Sequence, residues 1–393
     1  MGVTRDAVTY GSAISACEKD GQWPWALGLL ATASERSIEG NTVLYSAAVS
    51  ATEKGRDWRA ALALLAATEN ARVERNAVTL YAAMHACEAC EQWARALDVL
   101  AAMLDARIED HTTERVPYVH RHQAGSPIDC FKHVVLVMVL QHLAGGEDPF
   151  VYVDTHAGGG VYDLMSLDAL RFQNFDDGVW RVAVSAREGH VPCAVAAYLA
   201  AVRHCSEAFS PDGELRYYSG SPALAQQWLR PQDRAILFEV AAEVHKDLRQ
   251  SMDVLGRRCQ AAVEVHHQDS YRWLLNKHSL EFRGRGLVLI DPPYNSVSSY
   301  TAWNLFILRH IRERWPRSCV ALWYPSLDPA ETRVFHHRVR QLRLGSVLVA
   351  ELTTKCARSG VLLLNPPRRM EAQLDEVLPA LGRMLARRPH ENV

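Results

Sequence analysis

Residues 287–296 read LVLIDPPYNS: four apolar residues, then Asp291, Pro292, Pro293 and Tyr294. The apolar run has the length of a buried strand. A carboxylate at the end of such a strand costs several kcal/mol unless a charged or hydrogen-bonding group meets it, so Asp291 points to a ligand. The two prolines stiffen the backbone that carries it.

Working outward, FVYVDTHAGGG (150–160), AILFE (235–239), AAVEV (261–265), CVALWYP (319–325) and VLLLN (361–365) are further short apolar runs, separated by longer helical stretches. This alternation predicts an α/β layer with a largely parallel sheet. Gly158, Gly159 and Gly160 follow the first strand and let a cofactor approach the backbone. The glycine spacing is wrong for a dinucleotide fingerprint, since Tyr162 and Asp163 stand where the third glycine belongs, and the next strand-ending acid, Glu239, comes far later. Glu239, Asp269 and Asp291 end successive strands, which places three acids in one crevice of a doubly wound sheet. Glu239 suits a pair of ribose hydroxyls and Asp269 an adenine amino group.

Asp291-Pro292-Pro293-Tyr294 resembles the motif of amino-methyltransferases that use S-adenosylmethionine. An adenine N6 has its lone pair delocalised into the ring and is a poor nucleophile. Two acceptors on its hydrogens, the carboxylate and the Pro292 carbonyl, favour a pyramidal nitrogen aimed at the methyl. Tyr294 offers a stacking face, worth ~1–3 kcal/mol per base in single-stranded recognition. The likeness narrows over YVHRHQAGSPIDCFKHVVL (118–136), THAGGGVYDL (155–164), LRYYSGSPALA (215–225), LIDPPY (289–294), ALWYP (321–325) and GVLLLNPP (360–367), which occur in the order of the bacterial RlmJ family. Spanning about residues 118–385, this resemblance implies a Rossmann-like S-adenosylmethionine-dependent methyltransferase fold acting on N6 of an adenine in large-subunit ribosomal RNA.

Carried over by position, the resemblance places Lys132, His133, His156, Gly158, Gly160, Ser221, Glu239, Asp269, Ser270 and Asp291 around S-adenosylmethionine, with Asp291 as the catalytic group. Tyr118, His120, Pro292 and Tyr294 would meet the RNA. It also implies a helical insertion at about 163–230, supported by the helical period of VPCAVAAYLAAVRHC (191–205). Two departures stand out. The family's Glu-Leu-His-Pro is Glu239-Val240-Ala241-Ala242 here, and its Asn-Pro-Pro-Trp is Asn365-Pro366-Pro367-Arg368. No carboxylate or cysteine falls at zinc-ligand spacing near His120, His122 or His133, so no metal is expected. Trp323 and Tyr324 read as packing residues, and His266 and His267 as a strand end.

The first third of the chain differs. DAVTYGSAISACEKDGQW (6–23), NTVLYSAAVSATEKGRDW (41–58) and NAVTLYAAMHACEACEQW (76–93) match at a shift of 35 residues, with Trp23, Trp58 and Trp93 in register. A fixed period in this range signals stacked helix pairs, and the tryptophans are expected to lock each second helix onto its first. The tract resembles the pentatricopeptide repeat, a reader of single-stranded RNA whose base-reading places hold Gly11 with Asn41 and Ser46 with Asn76 here. Residues 1–111 carry ten Lys+Arg against fifteen Asp+Glu, a net of −5, leaving +3 for the remainder. An acidic tract repels phosphate, so a scaffold or protein-binding arm is weighed equally with RNA reading.

Charged residues at 22% and apolar ones at 48% exclude a disordered chain, and 393 residues suggest more than one domain. The expected division is 1–111, an all-α solenoid, and 112–393, the methyltransferase. Nine cysteines without framework spacing suit a reducing compartment, and Cys87 and Cys90 read as helix packing. No run of eighteen apolar residues predicts a membrane span. A monomer is expected. Pentatricopeptide tracts imply a mitochondrion or plastid, with no targeting segment visible. Two other readings stay open: an adenine-N6 methyltransferase of DNA or another RNA, and a catalytically silent RNA-binding scaffold.

Overall fold

The computed structural model describes residues 6–90 with short gaps, parts of 92–102, then 123–210, 215–256, 260–276, 282–292, 297–326, 328–354 and 358–386. The chain divides into two compact units, Met1–Val116 and Pro117–Val393.

The first unit contains α1 (Ala7–Lys19), α2 (Trp23–Glu35), α3 (Thr42–Lys54), α4 (Trp58–Asn70) and α5 (Ala77–Ala89), five helices consistent with a helical solenoid. The 35-residue period has a local cause at the helix starts. Asn41 caps α3 by accepting from the Leu44 amide at 3.0 Å, and Asn76 caps α5 by accepting from the Thr79 amide at 2.9 Å. Alanine-rich faces let α1 pack on α3 and α3 on α5, burying Ile14, Ala48, Val49 and Ala83. The tryptophan expectation changes in one respect. Trp23 opens α2 but lies against Gly55, where a Cβ would fall 1.8 Å from its Cδ1, so it joins its unit to the end of α3 in the next.

The second unit is built on a seven-stranded sheet of order β5-β4-β1-β6-β7-β9-β8. Its strands are β1 (Phe150–Asp154), β4 (Arg234–Phe238), β5 (Ala262–His266), β6 (Arg285–Ile290), β7 (Ser318–Pro325), β8 (Val347–Thr353) and β9 (Arg358–Leu364). Strands β5, β4, β1, β6 and β7 run parallel, and β9 is antiparallel to both its neighbours. The strands β4, β1, β6 and β7 are largely apolar because helices cover both faces, while the edge strand β5 carries Glu264 and His266 and is only half-buried. Sequence order reverses between β1 and β6, and in open α/β sheets ligands lie at that switch point, beyond the carboxyl ends of the strands.

The helix α6 (Pro127–Ala144) precedes β1. Ser126 caps it through the Asp129 amide at 3.2 Å, and Pro127 fills the first turn, where its missing N–H is no loss. Buried on nearly every side, α6 has the length and composition of a membrane span, but it is the core helix here, burying Phe131, Val134, Val135 and Leu140 together with the polar Asp129, Lys132 and His133.

Between β1 and β4 lies the insertion. It holds α7 (Leu167–Phe172), a π-helical turn (Asp176–Trp180), α8 (Arg181–Glu188), α9 (Cys193–Phe209) and α10 (Ser221–Ala225). It also holds a two-stranded ribbon of β2 (Val161–Asp163) and β3 (Tyr217–Ser219), which the helical reading of this stretch did not include. Each ribbon strand is three residues long, too short for period-2 alternation to register. The remaining helices are α11 (Ala242–Gly256), α12 (Ser270–Leu275), α13 (Val297–Arg314), α14 (Pro329–Gln341) and α15 (Met370–Ala386).

Candidate active site

The acids read from the sequence stand at the carboxyl ends of adjacent strands. Glu239 follows β4, Asp269 follows β5 and Asp291 follows β6, while Asp154 ends β1. Each is held by contacts of its own. The Glu239 carboxylate accepts from the Gly158 amide at 3.2 Å and the Ala241 amide at 2.8 Å, which ties the β1 turn to the β4 turn. Asp269 caps α12, accepting from the Tyr271 and Arg272 amides at 2.8 and 3.2 Å, and Ser270 beside it is buried.

The turn after β1 is shaped for close backbone approach. Gly158 has φ +61°, and a Cβ there would lie 2.3 Å from the Tyr162 hydroxyl, which itself accepts from the Gly159 amide at 2.9 Å. Only glycine fits both constraints. With Glu239 and Asp269 alongside, this turn suits an adenosine: an acid for the ribose diol, an acid toward the base, and bare backbone between them.

Asp291 receives the Lys132 ammonium at 2.5 Å, and the same ammonium lies 3.0 Å from Asp129, one helical turn earlier on α6. The Lys132 side chain is 9% exposed and that of Asp291 14%, so the pair is largely withdrawn from water yet open on one side. Lys132 also sits over the Trp323 ring, 5.4 Å from its centroid. Asp129 is fixed in turn by the Gly125 amide at 3.0 Å. One cation between two carboxylates leaves the cluster with a net negative charge, suited to an incoming amine.

Beside it, Asp154 is fully buried and accepts hydrogen bonds from Tyr152 at 2.6 Å and Ser221 at 2.7 Å. Burial outweighs these donors and pushes its carboxyl up to about 6. Burial pulls the His156 imidazole down to about 4, so the ring is neutral at pH 7. The Thr155 hydroxyl lies 2.9 Å from the Leu289 carbonyl and 2.8 Å from His156 Nδ1, which fixes the ring's position. The ring stands edge-on to Tyr271 at 5.5 Å.

The sequence-predicted residues therefore fall into three groups. His156, Gly158, Glu239, Asp269, Ser270 and Asp291 cluster at the strand ends, with Lys132 of α6 paired to Asp291 and Pro292 buried next to it. Gly160, Ser221 and His133 lie deeper: the Gly160 carbonyl accepts from the Gly220 amide at 2.8 Å, Ser221 reaches Asp154, and His133 Nδ1 bonds the Tyr218 hydroxyl at 2.7 Å. Tyr118, His120 and Tyr294 lie outside the described residues. Sequence reasoning passed over Asp129, Tyr152, Asp154, Thr155 and Tyr271. Of these, Asp129 was findable from its i, i+3 spacing to Lys132.

A parallel sheet extended by one antiparallel strand, with acids at the switch point, defines the class as a Rossmann-like methyltransferase fold. The model of a family described as "RsmJ: Ribosomal RNA large subunit methyltransferase D, RlmJ" matches residues 147–392, and the chain belongs to that family. It is 32% identical over 274 residues to the Escherichia coli (strain K12) protein named ribosomal RNA large subunit methyltransferase J, covering 67% of this chain and 92% of that one. The Haemophilus influenzae protein of the same name is 30% identical over 278 residues, covering 68% and 93%. A crystal structure of a Legionella pneumophila protein superposes with a TM-score of 0.56 at 25% identity, covering 67% of this chain and 94% of that one.

Proposed function

We propose that this chain transfers a methyl group from S-adenosylmethionine to N6 of an adenine in large-subunit ribosomal RNA. The observation that carries the reading is Asp291, at the switch point beyond β6 and hydrogen-bonded to a buried lysine, in a chain whose relatives are named ribosomal RNA methyltransferases. When bound, S-adenosylmethionine supplies an electrophilic methyl. Gly158, Glu239, Asp269 and Ser270 would hold its adenosine half. Asp291 accepts one N6 hydrogen and the Pro292 carbonyl the other, which localises the nitrogen lone pair along the attack line. Once the amine has gained the methyl it carries a positive charge, and its proton passes to Asp291. Lys132 keeps that carboxylate oriented, and Asp129 and Trp323 keep Lys132 in place.

Paired adenine uses N6 in its base pair, so the target must be unpaired or flipped out of its helix. Within this proposal, residues 1–111 are a pentatricopeptide-like arm and 112–393 the methyltransferase. The arm serves as a scaffold or as an RNA or protein contact. Supporting its repeat character, the equivalent valines Val8, Val43 and Val78 are all exposed, at 74%, 65% and 45%.

Labelled S-adenosylmethionine offered with large-subunit ribosomal RNA, or with duplex DNA of the same sequence, tests the reading. Label is expected in the RNA. Equal or faster labelling of the duplex would select a DNA methyltransferase, and no labelling despite cofactor binding would select the silent scaffold.

A further inference from the structure

The second unit's +3 charge is unevenly placed. Residues 329–343, α14 and the turn after it, hold four arginines and one glutamate, a net of +3 that accounts for the whole excess of residues 112–393. Within this segment Arg333, His337 and Arg340 follow at i, i+4 and i+7, so they share one helix face, and all three are exposed. Arg343, just beyond the helix, is exposed as well. The opposite face is the buried one, where Phe335 and Val339 pack inward. Among the described residues, no carboxylate lies within ion-pair distance of Arg333, Arg340 or Arg343. The acid on the helix, Glu331, shares its side with Val334 and Arg338 instead.

The buried side of the helix packs on the carboxyl end of β7. His336 Nε2 is 2.8 Å from the Tyr324 hydroxyl at the end of β7, and Phe335 packs on the Tyr324 ring at 4.8 Å. Trp323, the residue before, is the ring under Lys132, which pairs with Asp291. Trp323 and Tyr324 are neighbours on β7, so their side chains lie on opposite faces of the sheet, and α14 packs on the strand end that borders the site from the face opposite Lys132. Arg333 and Arg340 stand about 10 Å apart along the axis, a span that several successive phosphates of a nucleic-acid strand would cross.

We infer that the exposed face of α14 is a docking surface for the phosphate backbone of the RNA whose adenine enters the site. This rests on the proposed function and adds where the strand runs. Arginine suits the task because its fork pairs with phosphate oxygens in two hydrogen bonds. Contacts of this kind fix register and orientation without reading sequence.

The test uses the full chain and an in vitro transcript of large-subunit ribosomal RNA, with binding measured from 50 to 200 mM salt. Arg333→Gln/Arg340→Gln is expected to weaken RNA binding about tenfold or more near 150 mM. It should also lower the slope of log K against log salt by roughly 1.4–1.8, two phosphate contacts' worth. The Kd for S-adenosylmethionine and the melting temperature should stay those of the wild type. Arg333→Lys/Arg340→Lys should keep most of the slope, and Lys246→Gln/Arg249→Gln, on exposed positions of α11, should leave it unchanged. An unchanged slope in the Arg333→Gln/Arg340→Gln protein, or an equal drop in the α11 control, would overturn the docking surface. Methyl incorporation by the wild-type protein is scored in the same samples. If it is absent while the slope still drops, the methyltransferase reading fails and the surface stands.

Discussion

At the residue scale the site is governed by which charges are withdrawn from water. Replacing Asp291 by alanine should lower methyl transfer to the ribosomal RNA more than a hundredfold, about 2.7 kcal/mol of barrier, while leaving the fold intact. The residue stands past a strand end and not inside the core. Transfer within tenfold of wild type would remove it from the mechanism. Asp129 acts one step back. Asp129→Asn removes one of the two carboxylates on Lys132, so the ammonium should bind Asp291 more tightly and compete with N6. A fall in kcat with a steady Kd for S-adenosylmethionine is the expected signature. Asp154 gives a pH dependence. Its folded carboxyl is raised to about 6 from an ordinary value near 3.8, so the neutral acid is favoured by folding. That contribution is present at pH 4 and is lost as the pH rises through 6, a change of roughly 3 kcal/mol. The melting temperature of wild type relative to Asp154→Asn should therefore fall between pH 4 and pH 7. A rise over the same range would contradict the assignment.

At the scale of elements, the parts that organise the sheet could be read from the sequence, while long-range partners could not. Strands such as Leu287–Ile290 announce themselves by apolar runs that end in an acid, because a parallel strand covered on both faces has no polar side. The 35-residue period of the first unit was equally visible, since each helix start needs the same cap. What escaped was the ribbon of β2 and β3 and the inward side of the site. The three residues Tyr217–Ser219 carry no period, and nothing local tells Lys132 that its partner lies 159 residues later. The turn after β1 shows how an element imposes a residue. Gly158→Ala should weaken S-adenosylmethionine binding by tenfold or more, since φ +61° and the Tyr162 hydroxyl both oppose a Cβ. Isothermal titration would show it, and wild-type affinity would mean that the turn does not meet the cofactor.

For the whole molecule, the proposed site residues described by the structure all lie in Pro117–Val393, and none in Met1–Val116. A solenoid draws its stability from contacts between neighbouring repeats. Residues 112–393 alone are therefore expected to methylate a short RNA within about tenfold of the full chain, ~1.4 kcal/mol in barrier. A folded truncation that has lost RNA binding would make the arm the substrate reader. The central claim is that the methyl goes to N6 of adenine in large-subunit ribosomal RNA. Mass analysis of nucleosides from that RNA, after incubation with the protein and isotopically labelled S-adenosylmethionine, tests it most directly. The account predicts labelled N6-methyladenosine from the wild type and none from Asp291→Ala; label in any other nucleoside, or N6-methyladenosine from both proteins, would contradict it.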